Sequence, residues 1–177
     1  MKKQALLIID IQNDFTGENA KMPVDKNQAV EMILNLNKLI DKTDTSKTEI
    51  IYIGNEYSKW DILNIFRNFA SIKGTDGTKL DKRLQIVNKI YFPKSKMNAF
   101  SNPNLISYLK SKNIEEIFIG GLYADACIYG TAKGGIKEKL KVNILTDCVA
   151  TKSENKRVKT ILKYEKIGAK NIKSTEM

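Results

Sequence analysis

The sequence predicts a three-layer α/β protein in which a six-stranded, mainly parallel sheet lies between helices. Short apolar runs alternate with segments of helical periodicity along all 177 residues. Such an alternation produces right-handed crossovers and parallel strands. The composition, 42% hydrophobic and 28% charged, is typical of a globular protein. We expect a Rossmann-like strand order, 3-2-1-4-5-6, and a single domain that covers residues 1–177.

Short runs of apolar and β-branched residues supply the predicted strands. The first run, Ala5–Ile9, is continuously apolar, as expected for a strand that is buried on both faces of a sheet. The last is a short segment that fits an edge strand. In chain order, the predicted strands are Ala5–Ile9, Glu49–Gly54, Gln85–Tyr91, Glu116–Gly121, Val142–Thr146 and Asn171–Lys173.

Apolar spacing and capping residues predict the helices between these strands. Asp25 is a predicted N-cap, and Gln28 completes a capping box with it. Ser153 is expected to begin the last helix, and Gly168 is expected to end it. The predicted helices cover residues 25–40, 60–69, 102–111, 125–140 and 153–167, and the glycine-containing stretch 72–82 is predicted to be a loop.

The histidine count is zero, and this limits the chemistry. Ser-His-Asp and Cys-His mechanisms and His-ligated zinc are excluded. A general base must then be a carboxylate, a lysine, a tyrosine or a cysteine. The two cysteines, Cys127 and Cys148, cannot supply a disulfide framework.

The net charge of +10 comes almost entirely from lysine. The only arginines are Arg67, Arg83 and Arg157, and the lysines are scattered. Because arginine is the usual residue for bidentate phosphate and base contacts, we predict a lysine-rich solvated surface and no nucleic-acid partner. No apolar run reaches the length of a membrane span, and Asp10 interrupts the N-terminal run. We therefore expect a cytoplasmic protein with no membrane partner.

Three residues with reactive side chains follow predicted strands at the carboxyl edge of the sheet, where α/β proteins place their sites. Asp10 directly follows the first strand, and a buried acid is costly unless it is paired or used. Lys94 follows the third strand, and Cys127 follows the fourth. The alternatives are an acid that caps a helix, an ordinary surface lysine and a buried structural cysteine.

Cys127 is the candidate nucleophile. If Asp125 caps the following helix, Cys127 lies in its first turn, where free N–H groups and the helix dipole would lower the thiol pKa. The same N–H groups could bind an oxyanion. Cys148 has no such surroundings and is interpreted as structural. An acid, a lysine and a thiol at one edge of the sheet would form a catalytic set that needs no histidine.

The motifs that carry these residues resemble those of the isochorismatase-like cysteine hydrolases, a superfamily that includes nicotinamidases. They are DIQNDF with Asp10, the K-x-x-x-x-A-F spacing that begins at Lys94, and GLYADAC with Cys127. The resemblance extends over nearly the whole chain. It implies a six-stranded parallel sheet, an Asp-Lys-Cys triad, a homo-oligomer and a cis peptide bond between Leu122 and Tyr123. It also implies an oxyanion hole formed by the backbone N–H groups of Tyr123 and Cys127.

The chain also departs from that family pattern. Nicotinamidases hold a divalent metal on an aspartate and two histidines after the second strand, where this chain reads NEYSKWD, at residues 55–61. We therefore expect no metal and no other cofactor. Isochorismatases that cleave a vinyl ether typically lack the nucleophilic cysteine, so Cys127 favours cleavage of a carbon–nitrogen bond.

The sequence thus predicts a metal-independent cysteine amidohydrolase that acts on a small molecule through a thioester. Phe15, Trp60 and Tyr123 are candidate substrate-binding residues, and ordinary core packing is the alternative for Phe15 and Trp60. The sequence is also compatible with two other functions. One is cysteine-independent hydrolysis of a vinyl ether with Asp10 as the acid, and the other is a non-catalytic binding protein.

Overall fold

The computed structural model describes residues 3–177 and contains one six-stranded sheet. All the strands are parallel and lie in the order β3-β2-β1-β4-β5-β6, which confirms the predicted fold class. The strands are β1 (Lys3–Ile9), β2 (Thr48–Asn55), β3 (Tyr91–Lys94), β4 (Ile114–Leu122), β5 (Lys141–Ala150) and β6 (Lys170–Ile172).

Helices cover both faces of the sheet and give the three layers. Alternate residues of β1 point to opposite faces, so Leu6 and Ile8 pack on one side while Leu7 and Ile9 pack on the other. The long helix α2 packs on the first side, and α3, α4 and α5 pack on the second. The helices are α1 (Asn13–Thr16), α2 (Lys26–Lys42), α3 (Pro103–Ser111), α4 (Tyr129–Lys137) and α5 (Glu154–Tyr164).

The third strand lies further along the chain than predicted. Residues 85–90 form no strand, because the Asn88 side chain donates to the carbonyl of Ile50 and accepts from the N–H of Ile90, which fixes a turn. The strand begins at Tyr91 instead and includes Pro93, which an edge strand tolerates because it needs no donor on its outer side. Lys94 is therefore the last residue of β3.

The predicted helix over residues 60–69 is also wrong. Only Ile62–Ile65 forms a short 3₁₀ turn. The backbone of Asn68 and Phe69 has φ values of 49° and 53°, in the left-handed region that ends a right-handed helix. The apolar side chains of this segment point to solvent, and so their helical spacing does not reflect a buried face.

The predicted caps are confirmed only in part. Asp25 does cap α2 and accepts from the N–H of Gln28 at 3.0 Å. The Gln28 side chain, however, accepts from the N–H of Thr151, so the second half of the capping box does not form. Ser153 caps α5, and Gly168, with a φ of 91°, ends the turn that follows it. Within residues 3–177, no helix combines the length and the apolar character that a membrane span requires.

Candidate active site

Asp10, Lys94 and Cys127 meet at the carboxyl edge of the sheet. The Lys94 ammonium lies 2.8 Å from Asp10 Oδ2 and 3.2 Å from Cys127 Sγ. All three residues are at least 95% buried. β1 lies next to β4, which places Asp10 near Cys127, and Lys94 reaches them from β3 across the end of β2, where it also donates to Asn55. The structure thus brings together the three residues that the sequence analysis selected.

The backbone at Asp10 and Gly121 has unusual positive φ angles that allow the three side chains to approach one another. Asp10 has a φ of 60°, a left-handed conformation that aspartate tolerates better than most residues. Its N–H donates to the carbonyl of Ile53 at 2.8 Å, which ties it to β2. On the other side, Gly121 has a φ of 124°, and a Cβ there would lie 2.0 Å from the carbonyl oxygen of Ile9. Glycine is therefore needed for β4 to approach the end of β1 this closely.

Cys127 lies in a π-helical turn, Ala124–Ile128, between β4 and α4. Such turns are rare and are often found at functional sites. The peptide bond between Leu122 and Tyr123 is cis, as the family resemblance implies. The expectation that Asp125 caps this helix is wrong. Its carboxylate accepts from the Thr151 hydroxyl and pairs with Lys156 instead. The donor roles of the Tyr123 and Cys127 N–H groups stay a prediction.

The protonation of the three groups follows from their burial and from their mutual charges. Burial, and then the negative charge of Asp10, raises the pKa of Cys127 to about 12, although Lys94 opposes this. Burial also raises the pKa of Asp10, against the effect of Lys94. Burial lowers the pKa of Lys94, but its interactions with Asp10 and Cys127 outweigh burial and raise the pKa overall. The predicted lowering of the Cys127 pKa is therefore wrong for the free protein, because burial outweighs the helix N-terminus.

Two polar residues of the cluster were missed by the sequence analysis. Asn55, the last residue of β2, accepts from Lys94 Nζ at 2.7 Å, and its Nδ2 lies 3.9 Å from Cys127 Sγ. Gln12 in turn holds the backbone of Asn55, donating to its carbonyl and accepting from its N–H. Both side chains are buried. Their positions could have identified them, because Gln12 follows β1 and Asn55 ends β2, both at the carboxyl edge of the sheet.

Tyr57 also lies near the cluster and was not predicted. Burial is the main reason that its pKa rises to about 12, and the charges of Lys94, Cys127 and Asp10 all act on it. The guanidinium of Arg67 lies 4.0 Å from the centre of its ring, on the chain segment that follows. The loop after β2 therefore contributes one wall of the region around the triad.

The three predicted substrate-binding residues differ in burial, since Phe15 and Tyr123 are buried and Trp60 is exposed. Phe15 is buried against Tyr123, edge to face, with ring centres 5.7 Å apart, so core packing is confirmed for Phe15. The Tyr123 hydroxyl donates to the carbonyl of Met22. Trp60 is 83% exposed, which rules out core packing, and its ring lies under the Lys59 ammonium. The roles of all three aromatic residues in substrate binding stay predictions.

The residues after β2 do not fit the divalent metal that nicotinamidases hold there. The side-chain oxygen of Asn55 is already bonded to a cation, the Lys94 ammonium. The Glu56 carboxylate accepts from the Tyr91 hydroxyl. Among residues 3–177, no group of three or more His, Cys, Asp or Glu side chains is arranged to hold a metal ion.

Cys148 is fully buried within β5, on the face of the sheet that α2 covers. Burial raises its pKa, as does the charge of Asp147. Cys148 contributes to the core, in agreement with its interpretation as a structural cysteine.

The chain is similar over nearly its whole length to several known proteins. A protein of Arabidopsis thaliana named "Probable inactive nicotinamidase" is 26% identical over 96% of this chain and 91% of its own length. The crystal structure of an isochorismatase-like hydrolase from Alkaliphilus metalliredigens has a TM-score of 0.90 at 25% identity, covering 98% of this chain and 96% of that one.

Two further solved structures share the fold at lower identity. A nicotinamidase/pyrazinamidase of Bacillus subtilis has a TM-score of 0.80 at 24% identity, covering 97% of this chain and 100% of that one. The N-carbamoylsarcosine amidase of Thermoplasma acidophilum has a TM-score of 0.84 at 21% identity, covering 99% and 98%. The family model of the isochorismatase domain matches residues 4–176, and the chain therefore belongs to the isochorismatase family of hydrolases.

Proposed function

We propose that this protein hydrolyses a carbon–nitrogen bond of the amide type in a small molecule, with Cys127 as nucleophile. The observation that carries the proposal is the position of the Lys94 ammonium, 2.8 Å from Asp10 and 3.2 Å from the Cys127 sulfur. A cation that contacts both a carboxylate and a thiol, nearly excluded from water, can stabilise the charge that remains when the thiol loses its proton.

In the resting protein the proton is on sulfur, since the pKa of Cys127 is raised to about 12. Among the described residues Asp10 Oδ1 has no hydrogen-bond partner, so it is free to accept a proton, and burial raises the pKa of Asp10, which makes it a stronger base than an exposed aspartate. Lys94 is the counter-ion that remains protonated throughout. Together these groups allow proton transfer from sulfur to Asp10 as the sulfur attacks, rather than before substrate binds.

The proposed reaction has two halves. In the first, Cys127 sulfur forms a bond to the amide carbon while Asp10 takes the thiol proton. The N–H groups of Tyr123 and Cys127 are proposed to bind the oxyanion, an effect worth about 3 kcal/mol for one donor. The carbon–nitrogen bond then breaks, Asp10 returns its proton to the leaving amine or ammonia, and a thioester remains.

In the second half, water attacks the thioester carbon and gives a proton to Asp10. The carbon–sulfur bond breaks, the carboxylic acid leaves, and the proton returns to the Cys127 sulfur. No metal or organic cofactor takes part in these steps. The bond class is supported by the names of two proteins that share the fold, a nicotinamidase/pyrazinamidase and an N-carbamoylsarcosine amidase.

Nicotinamide itself is not proposed as the substrate. The relative in Arabidopsis thaliana carries the word inactive in its name as a nicotinamidase. In this chain, moreover, the residues after β2 form a hydrogen-bonded polar cluster and not a metal site. The substrate is therefore best sought among small amides in general.

The test is a screen of small primary amides and ureido acids in which release of ammonia is measured. We expect at least one compound to be turned over by the wild-type protein, and mass spectrometry after rapid acid quench to show an acyl adduct on the Cys127 peptide. The Cys127→Ala variant should lose turnover by a factor of about 10⁴ or more.

Cys148→Ala is the matched control, because it removes the other buried thiol without touching the triad. It should keep wild-type turnover, and circular dichroism should show that both variants are folded. Full turnover by Cys127→Ala would refute the nucleophile assignment. If that variant also cleaved a vinyl ether such as isochorismate, the cysteine-independent reaction would replace the amidase.

A further inference from the structure

Tyr57 continues the line of β2 and lies on the side of the chain that faces the triad. The segment stays extended beyond Asn55, since the N–H of Glu56 donates to the carbonyl of Lys94 at 2.8 Å and Tyr57 forms a parallel bridge. Side chains alternate between the two sides of an extended segment, so Tyr57 shares the side of Asn55. On that side Asn55 contacts Lys94 and faces Cys127. The charges of Lys94 and Cys127 also act on the pKa of Tyr57, in agreement with this placement.

The ring of Tyr57 is fixed through its backbone and on one face. Its N–H donates to the carbonyl of Ser71 at 2.9 Å, and its carbonyl accepts from the N–H of Lys73 at 2.9 Å. The Arg67 guanidinium lies 4.0 Å from the ring centre and is paired with Asp61 at 2.7 Å. A ring held in this way loses little freedom when a ligand binds to it. The Tyr57 hydroxyl is therefore preorganised.

The Tyr57 hydroxyl is a donor that the fold leaves unused. Among residues 3–177, the hydroxyls of five other tyrosines donate to a carbonyl or a carboxylate, whereas that of Tyr57 has no hydrogen-bond partner. Burial is the main reason that its pKa rises to about 12, so the phenol keeps its proton at neutral pH. A fixed donor beside reactive groups gains its partner when a ligand binds.

The charges around Tyr57 indicate which kind of acceptor fits. The two cations that act on it, Lys94 and Arg67, are each paired with an aspartate, at 2.8 and 2.7 Å. Neither therefore offers a free positive charge to a carboxylate, which is costly to remove from water without one. A neutral oxygen or nitrogen atom can accept from the phenol without that cost.

We propose that the Tyr57 hydroxyl donates a hydrogen bond to a neutral acceptor atom in the acyl part of the substrate, and that the substrates are small amides that carry such an atom. This inference rests on the amidase function proposed above. The acyl part is the relevant one because the leaving group of a primary amide is only ammonia. The acyl part also remains bound to Cys127 as the thioester, so one contact can hold it through both halves of the reaction.

The test uses pairs of amides that differ in one atom. Methoxyacetamide and butyramide have the same shape, but an ether oxygen in the first replaces a methylene group in the second. In 3-methoxypropanamide and pentanamide the oxygen lies one bond further from the amide. Dissociation constants are measured by ligand-observed NMR titration of the Cys127→Ala protein, which makes the measurement independent of turnover. In at least one pair, adding Tyr57→Phe should weaken binding of the ether relative to its alkyl partner by about fivefold, because only the ether loses a hydrogen bond.

The second readout is kcat/KM for the same amides in the protein that retains Cys127. The ratio within a pair should fall by a similar factor in Tyr57→Phe, since the different intrinsic reactivity of the two amides cancels between the two proteins. Tyr57→Phe keeps the ring on which Arg67 stacks, and circular dichroism should show that it is folded. The matched control is Tyr108→Phe, which removes a hydroxyl that bonds to Glu49 on α3 and should leave both ratios unchanged.

The outcomes separate the role of Tyr57 from the reaction itself. Ratios that Tyr57→Phe leaves unchanged in both pairs would overturn the role of Tyr57, even if the amides are hydrolysed. An equal fall in Tyr108→Phe, or no measurable binding of any of the four amides, would overturn it as well. If the binding ratio falls as expected but no amide is hydrolysed, the role of Tyr57 is supported and the proposed reaction is wrong.

Discussion

The side-chain amide of Asn55 faces both the Lys94 ammonium and the Cys127 thiol. Its oxygen accepts from Lys94 Nζ at 2.7 Å, and its nitrogen lies 3.9 Å from the sulfur. A neutral amide can hold a cation and face a developing thiolate at the same time, because its two ends have opposite polarity. A carboxylate of the same shape could hold the cation but would repel the thiolate.

Replacing Asn55 with aspartate should therefore lower kcat while the overall fold is kept. The substitution keeps the shape of the side chain, adds a negative charge beside the sulfur and removes an N–H donor. We expect kcat for the amide found in the screen to fall on the order of 100-fold, with a much smaller change in KM. Steady-state kinetics would measure both constants.

Asn104→Asp makes the same chemical change on the exposed surface of α3 and serves as the control. It should leave kcat and KM unchanged. If Asn55→Asp retained the wild-type kcat, the amide would have no part in positioning the triad.

The Cys127 thiol should react slowly with iodoacetamide near neutral pH. Thiolate is the reactive form, and burial with the Asp10 charge raises the pKa of Cys127 to about 12. In a Cys148→Ala background, where only Cys127 can react, the rate should rise roughly tenfold per pH unit while the pH remains below the pKa. Lys94→Met should slow the reaction further, since the ammonium favours the thiolate. Fast alkylation at pH 7 would instead indicate a lowered thiol pKa.

Gly121→Ala should destabilise the protein by about 3 kcal/mol or more. A Cβ at this position would lie 2.0 Å from the carbonyl oxygen of Ile9, and the φ of 124° is unfavourable for alanine. Gly74→Ala separates these two causes, because Gly74 also has a positive φ, 84°, but has open space around it. The control should cost only about 1 kcal/mol. Urea denaturation of both variants would test this, and equal losses would mean that contact with β1 is unimportant.

The ion pair of Asp81 and Arg83 should make stability depend on pH below about 4. Burial raises the pKa of Asp81, but hydrogen bonds from Arg83 and Thr16 outweigh it and lower the pKa to about 2. A lowered carboxyl pKa stabilises the fold above the unfolded-state value and loses its effect as the pH falls towards the folded-state value.

The contribution of Asp81 ionisation to stability can be measured with the Asp81→Asn variant, whose side chain cannot ionise. At pH 7 the variant should be less stable by about 1 to 2 kcal/mol, allowing for solvent screening around the partly exposed Arg83. The gap between variant and wild type should shrink below pH 4 and close only as the pH falls below about 2. A gap that stays constant across this range would show that ionisation of Asp81 does not stabilise the fold.

The sequence by itself predicted the strand order and the three residues that the structure brings together in the candidate site. Continuous apolar runs such as Ala5–Ile9 mark strands buried on both faces, and an acid directly after such a run, as Asp10 is, has few structural reasons to be there. Because the carboxyl ends of parallel strands share one edge, Asp10, Lys94 and Cys127 could be placed together before any distance was known.

Only the tertiary structure determined the protonation of Cys127, the groups that surround it and the exposure of the residues around Trp60. The raised pKa of Cys127 depends on burial and on a carboxylate 117 residues away in sequence, and neither is a local property. Asn55 joins the site through long-range contacts to Lys94 and Cys127. Helical spacing around Trp60 suggested a buried face, but periodicity carries no information on whether a core lies beside it. Local sequence specifies which groups can react; packing across the sheet determines their charge and what they face.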